Sequence, residues 1–331
     1  MDREAEFERR RDEVRQEWLA EHGPIAQALQ HVRHKVAIFS GKGGVGKTST
    51  TVNLGVALHQ RGYRVSLFDA DVHGPGVPKT LGIHGRAGVR QDHSAGHHQL
   101  GLELSQSEHG LGVISVASIW PGDDVPVMWK GPHKMRALRQ FLAAVDWGHL
   151  DFLLVDLPPG TGDEVQTIMG SIPGLDGMLV ITTPQGLSTM VCSKAINAAR
   201  EMQVPILGLI ENMSVFVCPH CGETHHLFGQ AKGERLARMM DVPFWGHIPF
   251  GIEVGESLDA GVPVVKSHPE SAVAQAFDAM AERLAEVLQA EPAAAEAAQA
   301  AAEPCECDGH AHDYGHAHTH DHGHEHGHRH D

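Results

Sequence analysis

Cysteine is scarce in this chain: five in 331 residues, too few for a disulfide framework at this length. Basic residues are in short supply too, 26 Lys and Arg against 42 Asp and Glu, which leaves a formal charge of −16. Such a balance repels phosphate backbones and speaks against broad binding to nucleic acid. Long hydrophobic runs are missing: none approaches the roughly 20 residues that a membrane-spanning helix needs. The charged N-terminus also lacks the form of a secretory signal. The expected location is cytoplasmic, with neither a membrane nor nucleic acid as partner. Aromatic residues make up only 5%, beside 41% hydrophobic residues overall, a composition ordinary for an α/β protein.

Glycine, by contrast, is concentrated at one decisive place. Gly41-Lys42-Gly43-Gly44-Val45-Gly46-Lys47-Thr48 follows directly on the apolar run Val36-Ala37-Ile38-Phe39. The order is strand, glycine-rich turn and helix, and the spacing fits the phosphate loop G-x-x-x-x-G-K-[ST]. Glycines admit positive φ, so successive N–H groups can point inward at a polyphosphate. The following helix adds the partial positive charge of its N-terminus. Residues Gly43, Gly44, Val45, Gly46, Lys47, Thr48 and Ser49 are therefore the candidate nucleotide cradle. Lys47 is placed for the β- and γ-phosphates and Thr48 for Mg²⁺.

The chain divides into four stretches. Residues 1–33 carry dense charges of both signs and read as a solvated arm. Residues 34–290 alternate apolar strands with helical patterns, which predicts a mostly parallel, doubly wound α/β sheet in a single domain. Its strands include Arg64 to Phe68, Val113 to Ala117, Asp151 to Val155, Met178 to Ile181 and Ile206 to Ile210. Helices are expected from about Leu187 to Met202 and from Ser271 to Leu288, while His84 to Gly110 reads as a surface excursion with solvated histidines at 84, 93, 97 and 98. Residues 291–304 are an Ala/Glu/Pro linker. Residues 305–331 are a Cys/His-rich tail whose composition cannot pack a core and reads as disordered.

Three further sites carry chemistry. Asp69-Ala70-Asp71 and Asp156 each close an apolar strand, where open α/β sheets bind their ligands. Asp156 with the following Leu-Pro-Pro-Gly-Thr-Gly turn has Walker B form, a carboxylate delivered to the Mg²⁺ shell beside a turn that senses the γ-phosphate. Cys218-Pro219-His220-Cys221 supplies two thiols at ligand spacing, half of what a tetrahedral zinc site or a [4Fe–4S] cube needs. A two-fold dimer would make good the shortfall, since it brings the same loop twice to one axis. A redox pair is the competing reading, and spacing does not choose between zinc and a cluster. In the tail, Cys305, Cys307, His310 and His312 open a tract suited to Ni²⁺, Zn²⁺ or Co²⁺; a solubilising tail that binds metal opportunistically is equally open. Cys192, set among Val191, Ala195 and Ile196, reads as a packed small hydrophobe.

These motifs together resemble the Mrp/NBP35/ApbC family of iron–sulfur cluster carrier ATPases, within the deviant Walker A group of P-loop NTPases. The resemblance rests on GKGGVGKTST, on DADVHGP from Asp69, on DLPPGTGDE from Asp156 and on ENMSVFVCPHC from Glu211. It implies an ATP- and Mg²⁺-dependent homodimer that holds a labile [4Fe–4S] cluster through Cys218 and Cys221 of both chains and passes it from scaffold proteins to apo-proteins. It also implies that Lys42 reaches across to the partner's nucleotide, that Asp71 positions the attacking water and that Asn212 reads the purine edge. His73 departs from the aromatic residue of many relatives, and the small N-terminal domains of some relatives have no counterpart in the short arm. Two alternatives remain on the sequence: a metallochaperone NTPase using the tail as reservoir for nickel, cobalt or zinc, and a non-catalytic positioning ATPase.

Overall fold

A computed structural model of the chain describes residues 23–85, 87–92, 99–118, 131–218 and 220–290. The charged arm up to residue 22, His93, His97, His98, the linker and the tail with Cys305, Cys307, His310 and His312 lie outside the described residues.

The strands, in chain order, are β1 (Val32–Ser40), β2 (Val65–Asp69), β3 (Val89–Asp92), β4 (Gln99–Leu102), β5 (Ser105–Gln106), β6 (Gly112–Ser115), β7 (Leu150–Asp156), β8 (Gly177–Thr182), β9 (Ile206–Asn212), β10 (Phe216–Val217), β11 (Thr224–His225) and β12 (Phe244–Ile248). Eight of them form one sheet in the order β12-β9-β8-β1-β7-β2-β6-β5. Every pairing in it is parallel except β5 with β6. The helices are α1 (Lys47–Gln60), α2 (Val77–Thr80), α3 (Gly131–Ala144), α4 (Asp163–Ser171), α5 (Gly186–Glu201), α6 (Gly233–Met239), α7 (Ile252–Ala260), α8 (Val264–Ser267) and α9 (Ala272–Val287).

β7 shows why the sheet is wound on both sides. Every one of its residues is buried. Leu153 and Val155 join one apolar cluster with α3, α4, α5 and α6. Phe152 and Leu154 point the other way, into a second cluster with α1 and α9. Side chains alternate across a strand, so a strand covered on both faces is apolar through its middle, here Phe152 to Val155. Each fully buried Val, Leu or Phe contributes about 1.5–3 kcal/mol, which makes this run the spine of the fold.

The C-terminal helix α9 forms as its pattern predicts. Ser271 Oγ accepts the Ala274 N–H at 3.1 Å and caps it. Val273, Phe277, Met280 and Leu284 are buried against the α1 side of the sheet. Its acidic outer face is engaged as well, since Arg61 lies 2.7 Å from Asp278 and 3.4 Å from Glu282. Among the described residues no helix is long and apolar enough to cross a membrane.

Three stretches differ from expectation. Packing begins before His34: residues 23–28 are helical, and Ile25 and Leu29 are only 1% and 2% exposed. Pro24 suits a first helical turn, where a missing N–H is harmless. The excursion from His84 to Gly110 holds an antiparallel hairpin, β3 with β4, and the edge strand β5. Strands of two to four residues are too short to show a period. His84 is exposed as expected, but His109 is buried, with Nε2 2.9 Å from the Gly261 carbonyl and Nδ1 3.2 Å from Lys266 Nζ. The strand expected to Ala117 ends at Ser115 and tightens into a 3₁₀ turn over Val116–Ser118.

Candidate nucleotide site and cysteine hairpin

β1 lies in mid-sheet between β7 and β8, so its C-terminal end opens a crevice where the winding direction reverses. The glycine-rich loop fills that crevice. Gly44 and Gly46 adopt φ of 77° and 84°, the left-handed region that favours glycine. A Cβ on Gly46 would also stand 2.2 Å from Asn212 Nδ2, and one on Gly41 would meet the Val191 side chain at 2.8 Å. The loop therefore needs glycine for contact as well as for conformation.

Asp156 is the hub of the site, fully buried at the end of β7. It lies 2.8 Å from Lys47 Nζ and accepts Thr48 Oγ1 and Thr51 Oγ1 at 2.7 Å each. The structure thus brings Lys47, Thr48 and Asp156 together as the motifs predict. Thr51 was not among the predicted residues, although it stands one helical turn beyond Lys47 and so shares its face. Ser49 and Val45 are buried in the loop's root. Lys42 donates to Gln185 Oε1, just ahead of α5. Behind the loop, the Gly160 N–H of the Walker B turn donates to the Ser40 carbonyl at 3.0 Å.

The sequence places Asp69 at a strand end but assigns it no role. It pairs in register with Asp156 across β2 and β7, and both are fully buried. Burial and the Asp156 charge push its carboxyl up to about 7, against the opposing pull of Lys47 and of the Val77 and Asp71 N–H groups. Its oxygens accept Asp71 N at 3.2 Å, Val77 N at 3.1 Å and Ser115 Oγ at 3.1 Å. The strand-end position was legible, but only the neighbouring strand shows that Asp69, rather than Asp71, faces Asp156. Asp71 is half-buried and accepts the Gly74 N–H at 3.1 Å. It lines a cavity of about 480 Å³ together with His73, Pro158, Pro159, Asp163 and Glu164.

Asn212 ends β9 beside this crevice, 7% exposed, and its amide donates to the Val45 carbonyl at 2.9 Å. Met213 follows with φ 54°, and the chain then forms the small hairpin of β10 and β11. Cys218 and Cys221 occupy its turn. The Cys218 N–H donates to the Glu223 carbonyl at 2.9 Å, and the Gly222 N–H to the Cys218 carbonyl at 2.8 Å. Hydrogen bonds from the Cys221 and His220 N–H groups, and then from the Cys221 thiol, hold the Cys218 thiol below its ordinary value. That favours thiolate, the form that binds metal. The ring of Phe250 anchors the hairpin, 6.2 Å from Phe216 and 5.7 Å from Phe228. Among the described residues no group of three or more His, Cys, Asp or Glu side chains is arranged to hold a metal ion. Cys192 is inert packing as expected: buried, its Sγ 3.8 Å from the Ile181 carbonyl, with burial pushing its thiol up.

A family model, ParA, described as NUBPL iron-transfer P-loop NTPase, matches residues 31–285. The chain belongs to this family. Among its relatives, the iron-sulfur cluster carrier protein of Methanocaldococcus jannaschii is 44% identical over 241 residues, 73% of this chain and 81% of that protein. Among solved structures, the nucleotide-binding protein of Archaeoglobus fulgidus, in complex with ADP and with cobalt found in it, aligns with a TM-score of 0.62 at 35% identity. The alignment covers 72% of this chain and 91% of that one. The septum site-determining protein MinD of Pyrococcus horikoshii, complexed with Mg-ADP, aligns at 0.56 and 27% identity over 76% and 96% of the two chains. In this iron-transfer P-loop NTPase, β9 runs on into the cysteine hairpin.

Proposed function

We propose that this iron-transfer NTPase is an ATP-dependent carrier whose cargo is a labile [4Fe–4S] cluster, held between two copies by Cys218 and Cys221 of each. One observation carries the reading: the residue that ends β9, Asn212, bonds to the nucleotide loop at Val45 and stands six positions before Cys218. Anything that moves the loop reaches the thiols through that short segment. Two thiolates per chain are half the ligands of a cube, and an isologous two-fold contact supplies the rest. Val217 and Leu227, 47% and 55% exposed near the pair, suit the apolar centre of such a contact.

In the closed dimer the loop N–H groups and Lys47 hold the phosphates, and Lys42 exchanges Gln185 for the partner's nucleotide. Thr48 and Asp156, a hydroxyl and a carboxylate 2.7 Å apart, are hard oxygen donors that fit Mg²⁺. That ion supplies neutralising charge on the β- and γ-phosphate oxygens. Asp71 orients the attacking water, Asn212 reads the base, and the Pro158–Gly162 turn reports loss of the γ-phosphate through its bond to Ser40. Scaffold proteins would load the cluster and apo-proteins in the cytoplasm receive it. Anaerobic reconstitution tests this: about four iron and four sulfide per dimer are expected. No cluster, or one undiminished by Cys218→Ala with Cys221→Ala, would end the reading.

A second reading, a metallochaperone for nickel, cobalt or zinc, is supported by the tail residues Cys305, Cys307, His310 and His312 and by the cobalt of the Archaeoglobus fulgidus protein. Ala290 is the last described residue, and its carbonyl accepts the Tyr63 hydroxyl at 3.1 Å. Tyr63 precedes β2, so Ala290 lies at the end of the sheet opposite the nucleotide loop. A chain ending at Ala290 should fail to activate a metal-requiring client on this reading, and should lose little as a cluster carrier.

A further inference from the structure

Lys134 is an ammonium the nucleotide site does not use, and its surroundings are unusual. Its side chain is 6% exposed in the first turn of α3. A buried cation needs a partner, and Glu164 Oε1 provides one at 2.5 Å. Glu164 itself sits in the first turn of α4, directly after the Walker B turn. The ammonium makes a second contact, 2.6 Å from His73 Nε2. Lysine has no lone pair to offer when charged, so His73 must accept through Nε2 and carry its proton on Nδ1. His73 is two residues beyond Asp71, in the loop that forms the other wall of the 480 Å³ cavity.

We propose that Lys134 is a positioning residue for nucleotide hydrolysis: pinned by Glu164 and accepted by His73, it holds the Asp71 loop at a set distance from the Walker B turn. The inference rests on the reading of Asp71 as the water-positioning carboxylate. Without the ammonium, His73 and Glu164 are left with the longer approach of Nε2 to Oε1, 3.6 Å. Asp71 then samples positions unsuited to the attacking water, and misplacement lowers turnover without weakening nucleotide binding. His73 makes the idea testable because its side chain is 65% exposed, so replacing it leaves the core alone.

The experiment measures steady-state ATPase of the full chain for His73→Leu, His73→Gln, Lys134→Met and the double variant Lys134→Met with His73→Leu. Glutamine keeps an acceptor at similar reach and leucine does not. Loss of one such hydrogen bond should lower kcat about fivefold to tenfold in His73→Leu, with KM for ATP within about twofold, and His73→Gln should stay near wild type. Lys134→Met should fall at least as far, and adding His73→Leu to it should lower kcat no further, because both remove one contact. Wild-type turnover in His73→Leu, equal losses in the leucine and glutamine variants, a change confined to KM, or additive losses in the double variant would each overturn the proposal. Asp71→Asn is assayed in parallel: if it retains full turnover, the water-positioning role fails by itself, whatever the His73 variants do.

Discussion

The side-chain amide of Asn212 donates to the backbone carbonyl of Val45 at 2.9 Å, tying the end of β9 to the phosphate loop. The same amide blocks any side chain at Gly46, whose Cβ would stand 2.2 Å away. Loop, strand end and cysteine hairpin therefore form one continuous path, with Met213 at positive φ as its bend. Asn212→Ala should weaken ATP binding and, unlike a purely nucleotide-reading residue, should also alter the rate at which a bound cluster leaves in the presence of ATP. Parallel nucleotide-affinity and cluster-release measurements check this, and unchanged release kinetics would count against the path.

Removing Lys47 should cost turnover and stability together. Lys47→Ala deletes the charge proposed to hold the phosphates and should lower kcat by about 10² or more. It also leaves the Asp156 carboxylate buried without its cation, 2.8 Å away in the intact chain. Thr51→Ala is the milder probe. It removes one buried hydrogen bond to Asp156 and should reduce stability by about 1–2 kcal/mol, read from urea unfolding.

The Asp69 carboxyl predicts a pH dependence of stability. Folding raises it from an ordinary 3.8 to about 7, through burial first and the Asp156 charge second. The folded chain thus holds a proton that the unfolded chain releases, and its contribution is fully present below 3.8 and lost as pH rises through about 7. Asp69→Asn cannot lose that proton. In EDTA, the melting temperature of the variant should gain on wild type as pH rises from 5 to 8, roughly the span of this titration. A constant difference across that range would contradict the assignment.

The thiols should separate by reactivity. N–H groups lower Cys218, whereas burial raises Cys192. At neutral pH and under anaerobic conditions, iodoacetamide should label Cys218 readily and leave Cys192 untouched until the chain unfolds. Mass spectrometry of the tryptic peptides decides it. Cluster loading should protect Cys218.

The tail makes a prediction of its own. Nickel or zinc titrated into the full chain should bind with several equivalents that vanish in a chain ending at Ala290, because clustered imidazoles and two thiols supply the donors. ATPase turnover should be the same in both chains, since Ala290 lies beside Tyr63 at the end of the sheet away from the nucleotide loop. A tail-dependent change in turnover would show the two ends to be coupled.

Much of this molecule was written locally in the chain. The phosphate loop, the Walker B strand and the Cys-Pro-His-Cys motif are short stretches whose demands are those of the backbone within a few residues: positive φ at Gly44 and Gly46, the apolar run Phe152 to Val155 before Asp156, two thiols three positions apart. Such demands act between neighbours in sequence and can be recognised there. What only the folded chain decided is which strand ends meet. Asp69 opposes Asp156 because β2 pairs with β7 in that register, Asn212 reaches Val45 from a strand 167 positions away, and His73 finds Lys134 and Glu164 across two helices. No spacing rule reaches that far, since these contacts are set by the order in which the sheet packs its strands.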